Sequence, residues 1–311
     1  MKTTCLFSVL RPFLLTIIIM AFSTVPVFSQ SSDEGSGSSS DNPLENAIKQ
    51  MEKDLVGGYL QPFVDGFGAN MNSGLYRTAE IGDGGFSFEL RFIGIGTLIG
   101  DAEKTYKAIA PLPYDQTSVK TATVFGGLGE TVPGPAGLTY QFQNGQVKTS
   151  MIPFAMPQLV LGNFFATQLT LSYVPIPKIQ DFPKTTLIRI GARHSISRYL
   201  PQSPVDIAAG LSYNSLEIGD IFDAKAFNIG AQASKSWSVF TLYGGLQYEN
   251  SSMTVDYTQE GKGTQIHLDL DGQNHIRATF GVGLNLLILH FNGDINLGKV
   301  TVVSGGIGIG S

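Results

Sequence analysis

The feature that most constrains this chain is a two-residue alternation of apolar and polar side chains, repeated over many separate segments. Phe86, Phe88, Leu90 and Phe92 alternate with Ser87, Glu89 and Arg91. Phe165, Thr167, Leu169, Leu171 and Tyr173 alternate with Ala166, Gln168, Thr170 and Ser172. Ile188, Ile190, Ala192 and Ile196 oppose Arg189, Arg193 and Ser195. Val205, Ile207, Ala209, Leu211 and Tyr213 oppose Asp206, Gly210, Ser212 and Asn214. Phe240, Leu242, Leu246 and Tyr248 oppose Thr241, Gly245 and Gln247, less cleanly because Trp237, Val239 and Tyr243 share the second face. Ile276, Ala278, Phe280, Val282 and Leu284 oppose Arg277, Thr279, Gly281, Gly283 and Asn285. Period two is the period of a β-strand, whose successive side chains point to opposite faces. Several segments approach ten residues, the length of a tilted membrane-crossing strand and longer than the common soluble strand of about five or six.

Alternation alone does not say which face meets water. A soluble β-sandwich alternates too, with its apolar face inward. Three features favour a barrel in lipid. The strands are long. Charged residues are 14% of the chain, against about 25% in a soluble domain, and Glu89, Arg91, Arg189, Arg193 and Arg277 all fall on polar faces, as residues lining a lumen would. Phe165, Tyr173, Tyr199, Tyr213, Trp237 and Tyr248 recur near strand ends, where interfacial girdles form. The expected fold is therefore all-β, an antiparallel transmembrane β-barrel of about twelve to fourteen strands. Turns are expected at Asn144-Gly145, Pro201 to Pro204, Glu249-Asn250-Ser251, Asp271-Gly272 and Asn292-Gly293, and a last strand over 300–309. One feature runs the other way: the chain ends Gly306-Ile307-Gly308-Ile309-Gly310-Ser311, without the terminal aromatic residue common in such barrels.

The N-terminus reads as an export signal. Lys2 and Arg11 precede a short apolar run, and Val27 and Ser29 stand three residues and one residue before a cut at Gln30. The expected organisation is a signal peptide over 1–29, a disordered linker over 30–42, a short helical segment over 43–58 and a barrel over 59–311. The linker is Ser, Gly, Asp and Glu from Ser31 to Asp41. In the helical segment Leu44, Ala47, Ile48, Met51 and Leu55 share a face, and Gly57-Gly58 is its expected stop; it would cap the periplasmic mouth of the barrel or enter the lumen. Residues 101–110 are a weaker helix candidate, within a stretch to Asn144 that reads as long loops. The one cysteine, Cys5, lies in the leader, so disulfides, thiolate metal sites and cysteine nucleophiles are not expected. Loss of Lys2 and Arg11 takes the net charge from −5 to −7, and no basic patch suggests nucleic acid.

The chain resembles an uncharacterised bacterial family, a domain of unknown function whose members are exported and expected to be outer-membrane barrels. The likeness runs from Tyr59 to the C-terminus. It includes the run Gly66-Phe67-Gly68-Ala69-Asn70-Met71-Asn72-Ser73-Gly74-Leu75-Tyr76-Arg77-Thr78-Ala79, Met156-Pro157-Gln158-Leu159, and Gly191-Ala192-Arg193-His194-Ser195-Ile196-Ser197-Arg198-Tyr199-Leu200-Pro201. The resemblance implies a barrel and brings no activity. In architecture alone the chain is also similar to outer-membrane channels for hydrocarbons and long-chain fatty acids.

The chemical motifs are weak. Gly94-Ile95-Gly96-Thr97-Leu98-Ile99-Gly100 has three residues, not two, between its second and third glycines, so a glycine-rich strand explains it better than a dinucleotide loop. Asp269-Leu270-Asp271-Gly272 lacks the remaining ligands of a calcium loop. His267 and His275 would meet only across an Asp271-Gly272 hairpin. No nucleophile elbow is present. The expectation is a non-enzymatic outer-membrane barrel without cofactor. Its contacts would be membrane lipid and a small solute, a hydrophobic one among the candidates, that passes through or binds in the barrel. The alternative is a structural or envelope-assembly barrel that binds a protein partner.

Overall fold

In the computed structural model, the described residues are 43–178, 183–258 and 265–310; the leader and linker expected over 1–42 lie outside them. A helix, α1 (Pro43–Met71), is followed by fifteen strands: β1 (Ser87–Leu98), β2 (Thr105–Ala108), β3 (Val119–Ala122), β4 (Thr131–Pro133), β5 (Thr139–Gln141), β6 (Met151–Phe164), β7 (Thr167–Ile176), β8 (Thr185–Ser195), β9 (Asp206–Ile218), β10 (Phe222–Trp237), β11 (Phe240–Thr258), β12 (Gln265–Asp271), β13 (Ile276–Leu286), β14 (Leu289–Leu297) and β15 (Thr301–Gly310). The described residues form two compact units, 63–98 with 151–310 and 43–62 with 99–150.

The first unit is a closed barrel. Its strands follow the order β10-β9-β8-β7-β6-β1-β15-β14-β13-β11, and β10 pairs with β11 to complete the ring. Every pairing is antiparallel. Closure leaves no ring strand with a free edge, which removes the unpaired backbone groups that a membrane would not tolerate. The ring has ten strands, not twelve to fourteen. The reason is that the 99–150 stretch supplies none: its four strands pair only with one another, as β2 with β3 and β4 with β5.

The alternation becomes an inside and an outside. On β13, Ile276, Phe280 and Val282 are exposed while Arg277 and Thr279 are buried. On β8, Ile188 and Ile190 face out and Arg189 and Arg193 face in. Phe88, Leu90 and Phe92 of β1, Leu242, Leu246 and Tyr248 of β11 and Ile307 and Ile309 of β15 continue the outer apolar surface. A contiguous apolar surface of this extent has no place in water; it is the lipid-facing band of an outer-membrane-type barrel. Phe165, Tyr199 and Trp237 are exposed at one end of the band, with Tyr173, Tyr213 and Tyr248 exposed toward the other. Among the described residues no helix is long and apolar enough to cross a membrane.

Two expected turns are strand interior. Glu249-Asn250-Ser251 lies within β11, nineteen residues long, because β10 pairs alongside it from Trp237↔Phe240 to Phe222↔Val255. On its other side β11 pairs first with β13, over Phe240–Tyr248, and then with β12, over Ser252–Thr258. Asp271-Gly272 is therefore no hairpin turn: the Gly272 N–H donates to Ser251 O, so the chain runs on along β11. Asn292-Gly293 also lies in a strand, β14, and the turn falls at Leu287-Ile288, where Leu287 adopts φ 56°.

The second unit packs Ala108, Ala110, Val132 and Phe142 with Leu55, Tyr106, Tyr114, Val119 and Tyr140. Residues 101–110 form a short 3-10 turn, Ala102–Lys104, and then β2. The Tyr59 hydroxyl donates to Asn144 O (2.8 Å) and the Tyr106 hydroxyl to Leu55 O (3.1 Å). Burial pushes the Tyr59 hydroxyl up to about 12 and raises that of Tyr106 as well, so both remain protonated donors at neutral pH.

Candidate functional site

A ten-stranded barrel is somewhat wider than the eight-stranded one, whose bore inward side chains just fill. Here the extra room holds backbone. α1 does not stop at Gly57-Gly58 but continues through Pro62 to Met71, and its residues 63–71 lie in the barrel unit. Its glycines serve close approach instead of termination. A Cβ on Gly58 would collide with the Tyr106 ring, one on Gly66 with Ile152 and one on Gly68 with Ser251. From Phe63 to Tyr76 nearly every side chain is buried, Phe67, Asn70, Met71, Asn72 and Ser73 at 2% exposure or less.

A helix that ends inside a barrel has a problem at its C-terminus. Its last four carbonyls lack intrahelical partners and have little water to turn to. Each is met. Gly68 O accepts the Asn72 N–H (3.1 Å) and Asn70 O the Ser73 N–H (3.1 Å). Ala69 O accepts the Ser73 hydroxyl (2.8 Å) and Arg277 Nη2 (3.0 Å). Met71 O accepts Arg189 Nη2. Two wall arginines thus cap the end of the helix where its dipole is negative.

The chain then runs along the lumen, and wall side chains bond its backbone at Asn72, Gly74, Thr78 and Ala79. Asn72 O accepts Asn228 Nδ2 (3.2 Å) and Gln247 Nε2 (3.4 Å). Gly74 O accepts Gln158 Nε2 (3.4 Å). The Tyr76 hydroxyl donates to Leu246 O (3.3 Å), and its ring lies where Cβ atoms on Gly230 and Gly245 would fall. Thr78 O accepts Arg193 Nη1 (3.0 Å) and Gln232 Nε2 (2.8 Å), while the Ala79 N–H donates to Ser234 Oγ (2.8 Å). Arg77 pairs with Glu89 (2.7 Å). Residues 63–81 therefore form a plug.

All five residues singled out from the sequence lie in this lumen. Glu89 holds Arg77 and His290 Nδ1 (3.1 Å). Arg91 donates to Asn292 Oδ1 (2.8 Å) and Gln158 Oε1 (3.3 Å). Arg277 forms a fully buried ion pair with Glu249, which also accepts from Asn274 and Gln247. Among the described residues, Arg189 and Arg193 form no carboxylate ion pair; both bond to oxygens of the plug and to the wall amides Asn214 and Gln168. Glu249, Asp294 and Tyr243 escaped the sequence reading. Glu249 sat in a supposed turn, and Tyr243 broke the alternation because it reaches inward to Asp294 Oδ2 (3.0 Å) over Gly281. The space left beside the plug, lined by Asn72 to Tyr76, Gln247, Thr279, Asp294 and Asn296, is too narrow to admit a water molecule.

The histidines do not converge. His267 lies between Asp256 and Asp269 on the β11–β12 extension, and hydrogen bonds to both raise its pKa. His275 stacks on Tyr248 and faces Glu249 O (3.3 Å). His194 bridges Thr167 Oγ1 (2.9 Å) and the Tyr199 hydroxyl (3.0 Å). Among the described residues no group of three or more His, Cys, Asp or Glu is placed to hold a metal.

Residues 3–311 match a family of unknown function, DUF6588. No curated protein matches the chain. Among solved structures it is similar to OmpTdeltaL8, a loop L8 deletion mutant of an outer membrane protein of Vibrio cholerae, at 10% identity and TM-score 0.27 over 73% of this chain and 98% of that one. It is similar to the translocator domain of the autotransporter NalP from Neisseria meningitidis at 11% identity and TM-score 0.25, over 84% and 96%. For OccK2 (OpdF) of Pseudomonas aeruginosa the values are 9% and 0.14, over 73% and 96%. These are likenesses of barrel fold and carry no function.

Proposed function

We propose, for a chain that belongs to the family of unknown function DUF6588, the role of an exported outer-membrane barrel that is closed in its resting state by its own N-terminal segment. The single observation that carries this reading is the plug. Residues 63–81 occupy the lumen and are bonded to residues of β1, β6, β8, β10, β11 and β13. Such a barrel is a membrane anchor for what it carries at its ends, with lipid as its main contact. No step of bond making is assigned to it, and no cofactor. This favours the structural role over free diffusion of a solute, since a resting passage would need the space the plug fills.

A second reading has its own support. Arg91, Arg189, Arg193 and Arg277 belong to the wall, and of the lumen arginines described only Arg77 belongs to the plug. Were the plug to withdraw, Arg91, Arg189, Arg193 and Arg277 would line a wet bore and bias it toward anions. The barrel would then be a gated channel. Liposome swelling separates open from closed. Purified full-length protein is expected to give no faster swelling in small sugars or amino acids than empty liposomes. Rapid swelling with the native chain would overturn the closed-barrel reading.

A further inference from the structure

We infer that the plug carries the main chain across the membrane from its outer side to the periplasm, so that residues 43–62 and the 99–150 connection are displayed outside the cell. This rests on the outer-membrane reading above.

The path through the lumen is directional. At one end Asp65 accepts the Gln273 N–H (2.7 Å) and pairs with Lys299 (2.8 Å), in the connections before β13 and before β15. Further on, Asn72 Nδ2 donates to Asn250 O (3.3 Å) in mid-β11. Thr78 then lies beside Ser234 (3.4 Å), near the far end of β10. At the opposite end Asp83 pairs with Arg198 (2.9 Å), in the connection between β8 and β9. The segment thus passes from one mouth of the barrel to the other before β1 begins.

The two mouths differ. Where Asp83 lies, three of the four strand connections are two-residue turns: Phe165-Ala166, Ser238-Val239 and Leu287-Ile288. β1 starts and β15 finishes there. Where Asp65 lies, the barrel carries the 99–150 connection, which leaves after Leu98 and returns at its register partner Met151, and the β11–β12 extension. Bacterial outer-membrane barrels turn tightly on the periplasmic side and carry their long loops outside. The Asp65 mouth is therefore external, and the helix that leads into it from Pro62 starts outside.

Single cysteines in a Cys5→Ser background test this, because that background has no other cysteine. Asp54→Cys, Leu128→Cys and Gln202→Cys place an exposed thiol before the plug, in the 99–150 connection and at the short-turn mouth. Intact and lysed cells are treated with a membrane-impermeant polyethylene-glycol maleimide, and the folded state is checked by heat-dependent gel mobility. Labelling of positions 54 and 128 on intact cells, with 202 labelled only after lysis, is the expected result. Labelling of 202 alone on intact cells, or protection of 54 while 128 reacts, overturns the inference and leaves the barrel reading standing. Loss of the protein from the outer-membrane fraction overturns both. Gly127→Cys and Leu200→Cys repeat the test at either mouth should a first variant fail to fold.

Discussion

Replacing Arg277 with leucine is expected to destabilise the folded barrel by about 3–5 kcal/mol, the usual cost of leaving one partner of a buried ion pair alone. The guanidinium is fully buried and touches three groups: Glu249, the Ser73 hydroxyl and the carbonyl of Ala69 in the last turn of α1. Leucine removes the counter-charge of Glu249, whose remaining partners Asn274 and Gln247 are neutral amides. It also takes the charged donor from the helix end inside the barrel. The double variant with Glu249→Leu should recover much of the loss, since a buried pair replaced by apolar residues is often near neutral. Urea titration in detergent, read by the boiled-against-unboiled gel shift, gives the midpoints. Equal midpoints for wild type and the Arg277→Leu single variant would show that the pair is not buried as described.

Removing the plug should have the largest effect on function. A chain lacking residues 43–81 keeps all ten ring strands but leaves their inner face wet. It is expected to conduct in planar bilayers where the full chain is silent. The current should favour anions modestly. The wall then exposes Arg91, Arg189, Arg193 and Arg277 against Glu89, Glu249 and Asp294, four positive groups to three negative. A gentler variant replaces Leu75, Tyr76 and Arg77 by glycine. Chain length is kept, but the Tyr76 ring and the Arg77–Glu89 pair are lost, so brief openings are expected. If both variants fold and stay silent, something other than this segment closes the bore.

The wall was legible in the sequence, whereas the plug was legible only as a helix that would cap a mouth or enter the lumen, for a physical reason. A strand between lipid and a polar lumen must alternate, so β1, β8 and β13 announced themselves, arginines included. The segment Asn72–Ala79 has no such face. Side-chain donors of β6, β8, β10 and β11 bond to its carbonyls at Asn72, Gly74 and Thr78, and any residue type supplies a carbonyl. Its signature was indirect: small and amide residues between a helix and the first strand, with no alternation, and more arginine than acid on the inward faces. Gly57-Gly58 misled because glycine that permits close packing looks the same in sequence as glycine that ends a helix. Glu249-Asn250-Ser251 misled because polar residues at a turn and polar residues facing a polar lumen are the same residues. The strand count came out high because nothing in residues 99–150 distinguishes strands of a separate small sheet from short barrel strands.

The claim that the N-terminal segment sits inside a closed, membrane-inserted barrel can be tested by one cross-link. The Thr78 and Ser234 hydroxyls lie 3.4 Å apart, one on the plug and one on β10, so Thr78→Cys and Ser234→Cys bring two thiols side by side for a disulfide. In a Cys5→Ser background, outer membranes are oxidised, and the protein is boiled and run without reductant. The expected result is near-complete cross-linking and a more compact band that reverts with reductant. Two free thiols that stay open to maleimide in the folded barrel would contradict the account.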